Sequence, residues 1–465
     1  MLSATEPDAR PLGASFRDPS GFVFVRDRTL YRQVNERYRT EYERLMQSGL
    51  YEQLAAAGDL VRHDEVDLAL ASAPAAFRVL RPDRIPFISY PYEWSFSQLK
   101  DAALLTLRVQ KAAMAFGMSL KDATAFNVQF QRGKPVLIDT LSFETVREGQ
   151  PWVAYRQFCE FFVAPLALMC HTDARLHQLF RAFLDGVPLD LASSMLPWRT
   201  RVSPGVAMHV HLHASAQRKL AGKATLSPSS GRPLGKHAVS GLVDSLERTV
   251  RSFDWTPAGT VWGDYYSDTN YSSPAFDHKR ELVAGALDRL APAVVWDLGA
   301  NVGTFSRLAS DRGITTMAFD VDVAAVEKNY RTVKERGESH LLPLLLDLSN
   351  PSAALGWDNR ERLSLAERGP ADVVLALALV HHLAIGHNVP FDRLARFFAS
   401  VARALVVEWV PKADSQVQRL LSTREDIFDA YTRDAFEAAF LERFHIESAT
   451  AVRESERVIY VMRAR

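Results

Sequence analysis

One short stretch constrains this chain more than any other: Val-Val-Trp-Asp-Leu-Gly-Ala-Asn-Val-Gly at residues 294–303. An apolar run ends in a glycine, and a helical pattern starts at Thr304. Glycine passes freely through left-handed backbone and lets a ligand approach the main chain, and a helix start offers unpaired N–H groups. Downstream the pattern alternates. Residues 315–320 read as strand, 323–335 as helix, 341–346 and 372–380 as apolar runs, 391–404 as helix and 405–410 as strand. Such alternation predicts a Rossmann-like, doubly wound α/β sheet. Residues 444–450 and 458–462 predict a terminal antiparallel strand pair around a charged turn.

Composition fits a globular protein, with 47% apolar and 24% charged residues among 465. Lys plus Arg and Asp plus Glu each number 55, so no nucleic-acid or membrane partner is expected. No apolar run approaches the length of a membrane span, and the first residues lack a leader's apolar core. Two cysteines, Cys159 and Cys170, stand without a CxxC motif, so a disulfide framework is not expected and a reducing, cytoplasmic setting is. Residues 201–254 are rich in Ser, Gly, Lys and His and read as a flexible linker between an α+β domain at 1–200 and an α/β domain at 255–465. Within that linker His209, His211 and His213 alternate. On a strand they would share a face and suit a metal, but surface positions in a mobile segment are the plainer reading, and no metal site is expected.

A dinucleotide fingerprint needs glycines where this chain has Asn301 and Thr304, so that reading fails. The arrangement Asp297-x-Gly299-x-x-x-Gly303 instead resembles the first motif of class I S-adenosylmethionine-dependent methyltransferases, with Asn301 in place of the middle glycine. That resemblance implies S-adenosylmethionine as cofactor. It places Asp297, Gly299, Asn301 and Gly303 around the methionine end, and Asp320 on the ribose hydroxyls with Asp322 as the competing choice. Asp347 and Leu348 fall near the adenine. The polar-aromatic stretch 262–271, with Tyr266, is either a lid over the cofactor, as such segments often are in that family, or packing of the linker on the domain; Lys279 just beyond it is a further candidate, to neutralise the cofactor carboxylate. His381 and His382 follow the fourth strand, where the family's substrate meets its cofactor. Either is a candidate base, since histidine titrates near neutrality. Glu408 at the end of the fifth strand either binds a cationic or hydroxyl group of the substrate or pairs with an Arg or Lys. The whole-chain pattern resembles a bacterial methyltransferase group that includes nodulation-type proteins.

The N-terminal part holds a hairpin at 21–34, a helix at 35–57, strand candidates at 77–80 and 86–90, a long helix at 96–116, short strands near 128–130 and 136–138, and helix from 152 to about 183. Asp122 and Asn127 form D-x4-N, and Asp139 follows an apolar strand. This resembles the catalytic loop and metal-binding Asp of a protein-kinase-like fold. The glycine-rich loop is missing, Arg26 or Arg32 stands where a strand lysine belongs, and Asp139-Thr140-Leu141 replaces D-F-G. If the likeness extends to chemistry, Mg-ATP is a second cofactor, Asn127 and Asp139 hold Mg²⁺, and Asp122 orients the acceptor hydroxyl. The sequence therefore predicts a methyltransferase acting on a small-molecule or glycan acceptor that the N-terminal domain recognises. Its alternatives are a bifunctional enzyme with an active phosphotransferase half and a non-enzymatic nucleotide-binding scaffold.

Overall fold

The computed structural model describes residues 10–147, 149–215, 236–257 and 272–465. The chain divides into two units, Met1–Thr256 with Leu355–Arg362, and Pro257–Ala354 with Leu363–Arg465.

In the first unit, β1 (Arg10–Pro11), β2 (Gly21–Arg26), β3 (Thr29–Asn35), β4 (His63–Val66) and β5 (Ala76–Pro82) form an antiparallel sheet in the order β1-β2-β3-β5-β4. The expected single helix at 35–57 is two, α1 (Arg39–Gln47) and α2 (Leu50–Ala57), because Gly49 takes a left-handed turn at φ 84°. Residues 86–90 form no strand. The long helix α3 (Phe96–Ala115) buries Leu99, Leu105 and Val109. It leads into two small antiparallel pairs, β6 (Met118–Leu120) with β9 (Phe143–Thr145), and β7 (Val128–Gln131) with β8 (Lys134–Leu137).

Of the segment expected as a linker, residues 201–215 and 236–254 belong to this unit, and residues 216–235 lie outside the described residues. A π-helical turn spans Ala207–Leu212, and α4 (Lys236–Ser252) packs on α3. Composition misled here because His209 and His211 are core residues, while His213 is half-buried and bonds Tyr155 at 3.0 Å. His209 bonds Tyr155 at 2.8 Å and Ser245 at 3.0 Å, and His211 sits between Ser193 at 2.8 Å and Thr200 at 2.9 Å. Each ring is satisfied by hydroxyls, and among the described residues no cluster of three or more His, Cys, Asp or Glu is arranged to hold a metal.

The second unit carries β10 (Val294–Leu298), β11 (Thr315–Asp320), β12 (Leu341–Leu345), β13 (Ala371–Ala376), β14 (Ala402–Trp409), β15 (Phe444–Ala451) and β16 (Val458–Ala464). They lie in the order β12-β11-β10-β13-β14-β16-β15. The first five are parallel, and β16 runs antiparallel to both neighbours. The central strands are apolar on both faces, as strands covered by helices on two sides must be. Helices α5 (Ser273–Leu290), α6 (Ser306–Ser310), α7 (Val323–Arg336), α8 (Phe391–Val401) and α9 (Arg433–Leu441) join or flank them. The order of strands turns back between β10 and β13, which opens a crevice at their C-terminal ends.

Gly205 tests whether α4 is packed or loose. A Cβ there would lie 2.2 Å from Thr249 Oγ1. Gly205→Ala should cost about 1–3 kcal/mol in urea unfolding, and adding Thr249→Ala should recover much of it. No loss would mean α4 is not seated as described.

Candidate active site

The crevice is built from strand ends. Asp297, inside β10, is buried, and its Oδ2 accepts from the Ser306 hydroxyl at 2.6 Å, which ties the strand to the start of α6. Asp320, the last residue of β11, accepts from the Asn301 N–H at 2.7 Å with one oxygen and from the Asp322 N–H at 2.9 Å with the other. Burial pushes both carboxyls up to about 6. Each oxygen of a carboxylate has a second lone pair, so Asp320 keeps acceptor capacity for hydroxyl donors. Asp322, the competing choice, caps α7: its Oδ1 accepts from the N–H groups of Ala324 at 2.8 Å and Ala325 at 3.0 Å.

The loop between β10 and α6 shows why Asn301 can replace a glycine. Its φ is +50°, in the left-handed region that asparagine tolerates better than most residues. Its side-chain oxygen accepts from the Val302 N–H at 2.8 Å. Gly299 and Gly303 are left-handed too, and a Cβ on Gly303 would strike Asn329 at 2.6 Å. Asp347 is exposed just beyond β12, with Oδ1 accepting from Ser349, and Leu348 beside it is half-buried.

After β13 the backbone turns left-handed at Ala378 (φ 50°), and a π-helical turn spans His382–Gly386. The two histidine rings lie 4.2 Å apart, with His381 almost wholly buried. Their expected titration near neutrality does not hold. Burial pushes His381 well below the ordinary histidine range and His382 down to about 4, so both are neutral at physiological pH. A neutral imidazole is in the state that accepts a proton, but so low a pKa makes it a weak base.

Two expectations are corrected. Lys279, expected to meet the cofactor carboxylate, is buried on α5 and gives its ammonium to Glu408 at 2.6 Å. Glu408, weighed as a substrate-binding group, is fully buried between Lys279, Arg457 and the Ala378 N–H, so the ion-pair alternative is the one seen. Sequence reasoning missed Arg457 and Asp414, which form a forked pair at 2.8 and 3.0 Å. No local motif marks them, since they lie 43 residues apart. Tyr266 and the rest of the stretch 262–271 lie outside the described residues.

In the first unit Asp122, Asn127 and Asp139 come together. Asn127 Nδ2 donates to Ser142 Oγ at 3.2 Å, and Ser142 donates to Asp139. Arg32, not Arg26, reaches the site from β3 and pairs with Asp139. Asp122 accepts from Gln157 at 2.9 Å and from the Thr124 N–H at 3.1 Å. Burial, and then the charge of Asp139, raise the Asp122 pKa.

The seven-stranded sheet, in which β16 alone runs antiparallel, and a glycine-asparagine loop beside buried Asp297 and Asp320 match what the sequence resemblance to class I S-adenosylmethionine-dependent methyltransferases implies. The buried, hydrogen-bonded carboxylates and the close backbone turn fit an adenosyl cofactor. The chain belongs to the family of the nodulation protein NoeA: it is 36% identical to that protein of Rhizobium meliloti (strain 1021) over 469 residues, covering 99% of this chain and 97% of the relative. No protein-family profile matches the sequence. Among solved structures, magnesium protoporphyrin IX methyltransferase (ChlM) from Synechocystis PCC 6803 with bound SAH aligns at 16% identity over 44% of this chain and 93% of that one, with a TM-score of 0.30. The N-methyltransferase NodS from Bradyrhizobium japonicum WM9 aligns at 12% over 42% and 98%, with a TM-score of 0.30. WbdD, crystallised with a kinase inhibitor, aligns at 17% over 46% and 47%, with a TM-score of 0.31. Among the described residues, no helix is long and apolar enough to cross a membrane.

The loop account predicts that Asn301→Gly leaves thermal stability within about 1 kcal/mol, whereas Asn301→Val, β-branched at a left-handed position, costs about 2 kcal/mol or more. Equal midpoints for the two variants in a melting experiment would contradict it.

Proposed function

We propose that the second unit transfers a methyl group from S-adenosylmethionine to a small-molecule or glycan acceptor that the first unit recognises. The observation that carries this reading is Asp320, buried at the tip of β11 and fixed by two backbone N–H groups while its second lone pairs remain available. When bound, the cofactor supplies an electrophilic methyl on sulfur. The chain's own task is to orient and to manage a proton. Asp320 takes the ribose hydroxyls, Gly299, Asn301 and Gly303 give close backbone to the methionine half, with Asp297 beneath them, and Asp347 and Leu348 flank the base. His381 and His382 stand on the acceptor side as neutral rings able to take a proton from the nucleophile.

Calorimetry with S-adenosylhomocysteine tests this. Asp320→Ala should abolish binding while the fold is kept, and retained tight binding would overturn the ribose assignment. The raised pKa values give a pH signature. Above about pH 7 Asp320 is ionised and accepts hydroxyls best, so affinity is full there and declines as pH falls through 6. Asp320→Asn should flatten that decline.

A second reading is favoured by the convergence of Asp122, Asn127 and Asp139, which Arg32 of β3 joins. In it the first unit is kinase-like and phosphorylates the same acceptor. Asn127 and Asp139 hold Mg²⁺, which has to displace Arg32 from Asp139, and Asp122 orients the hydroxyl. Titration with Mg-ATP decides between them. Binding that is lost in Asp139→Ala favours the bifunctional enzyme, and no Mg-ATP binding leaves acceptor recognition as the first unit's role. A chain that binds neither nucleotide nor S-adenosylhomocysteine is a scaffold.

A further inference from the structure

The buried ion-pair network behind β13 and β14 has a geometry that reaches the cofactor loop. Glu408 Oε2 accepts from two donors at once, Lys279 Nζ at 2.6 Å and the Ala378 N–H at 2.7 Å. Its other oxygen lies 3.5 Å from Arg457, whose fork is held by Asp414. Glu408 and Lys279 are 0% and 3% exposed. A buried pair of this kind seldom adds net stability over apolar residues of similar volume, so stability alone is a poor reason for it.

What the carboxylate holds is a strained turn. Ala378 is left-handed without being glycine, a conformation that persists only where its surroundings fix it. The next residue, Leu379, does two things. Its Cδ1 lies 3.5 Å from where a Cβ on Gly299 would stand, so its side chain walls the glycine of the cofactor loop. Its carbonyl accepts from the N–H groups of His382 at 3.0 Å and Leu383 at 3.3 Å, starting the turn that carries the histidine pair.

We propose that Glu408 is a positioning residue of the methyltransfer site: by clamping the Ala378 N–H it sets the turn that places Leu379 against Gly299 and His381–His382 beside the cofactor. The proposal rests on the methyltransferase reading. The clamp requires an acceptor oxygen at this spot and does not require a charge. Lys279 supplies the countercharge that lets a carboxylate be buried there.

The experiment is S-adenosylhomocysteine binding by calorimetry on the full chain, with a melting curve for every variant. Lys279→Met with Glu408→Gln removes the pair but leaves an amide oxygen for Ala378, and affinity should stay within about threefold of the unmodified chain. Lys279→Met with Glu408→Leu removes the acceptor as well, and affinity should fall by about tenfold or more at a similar melting temperature. Should the leucine variant not fold, Glu408→Asp keeps the charge while withdrawing the oxygen from Ala378, and the same loss is expected. Equal affinities in the glutamine and leucine variants, or an unaltered affinity in Glu408→Asp, would overturn the positioning role and leave the methyltransferase reading standing. Failure of the unmodified chain to bind S-adenosylhomocysteine would overturn both.

Discussion

The second unit is organised around one carboxylate. Asp320 sits where two neighbouring parallel strands end, and its two oxygens draw in the N–H groups of Asn301 and Asp322. One bond pulls the loop after β10 toward β11, and the other shapes the turn into α7. The cost of burying that charge shows as a raised pKa and is offset by the two backbone donors. The loop then has to run left-handed at Gly299, Asn301 and Gly303, so the Asp320 bonds and the loop's residue choice form one constraint.

The same logic recurs on the other side of β10. There Glu408 gathers the Ala378 N–H, and its charge is balanced by Lys279. Both edges of the crevice are thus defined by carboxylates that accept backbone N–H groups at strand ends. Polar groups inside a core have to be satisfied, and here satisfying them also dictates the backbone path that lines the cleft.

How much of this was legible in the sequence follows from the range of each interaction. The parallel strands, the glycine-asparagine loop and the carboxylates at strand ends are local patterns, and period and punctuation reveal them. Residues 372–380 promised a longer strand than β13, because nothing local shows that Ala378 turns away to meet Glu408. The Lys279–Glu408 pair spans 129 residues and Arg457 reaches Glu408 from the turn just before β16, so no spacing rule finds them. The histidines at 209, 211 and 213 sit in a run whose composition signals solvent, yet hydroxyl partners scattered between Tyr155 and Ser245 make His209 and His211 interior residues and leave His213 half-buried. In the first unit the D-x4-N pattern was visible, but the partner of Asp139 was not, since Arg32 arrives from a strand far upstream.

The chain's division into units also departs from a simple split. Leu355–Arg362 lies in sequence between β12 and β13 but packs with the first unit, where Glu361 bonds Arg17 at 2.9 Å and Arg362 stacks over Phe126 at 4.1 Å. A single cut therefore cannot separate two complete halves. An N-terminal fragment would be missing a piece that its own packing uses, and a C-terminal fragment would carry that piece without its seat.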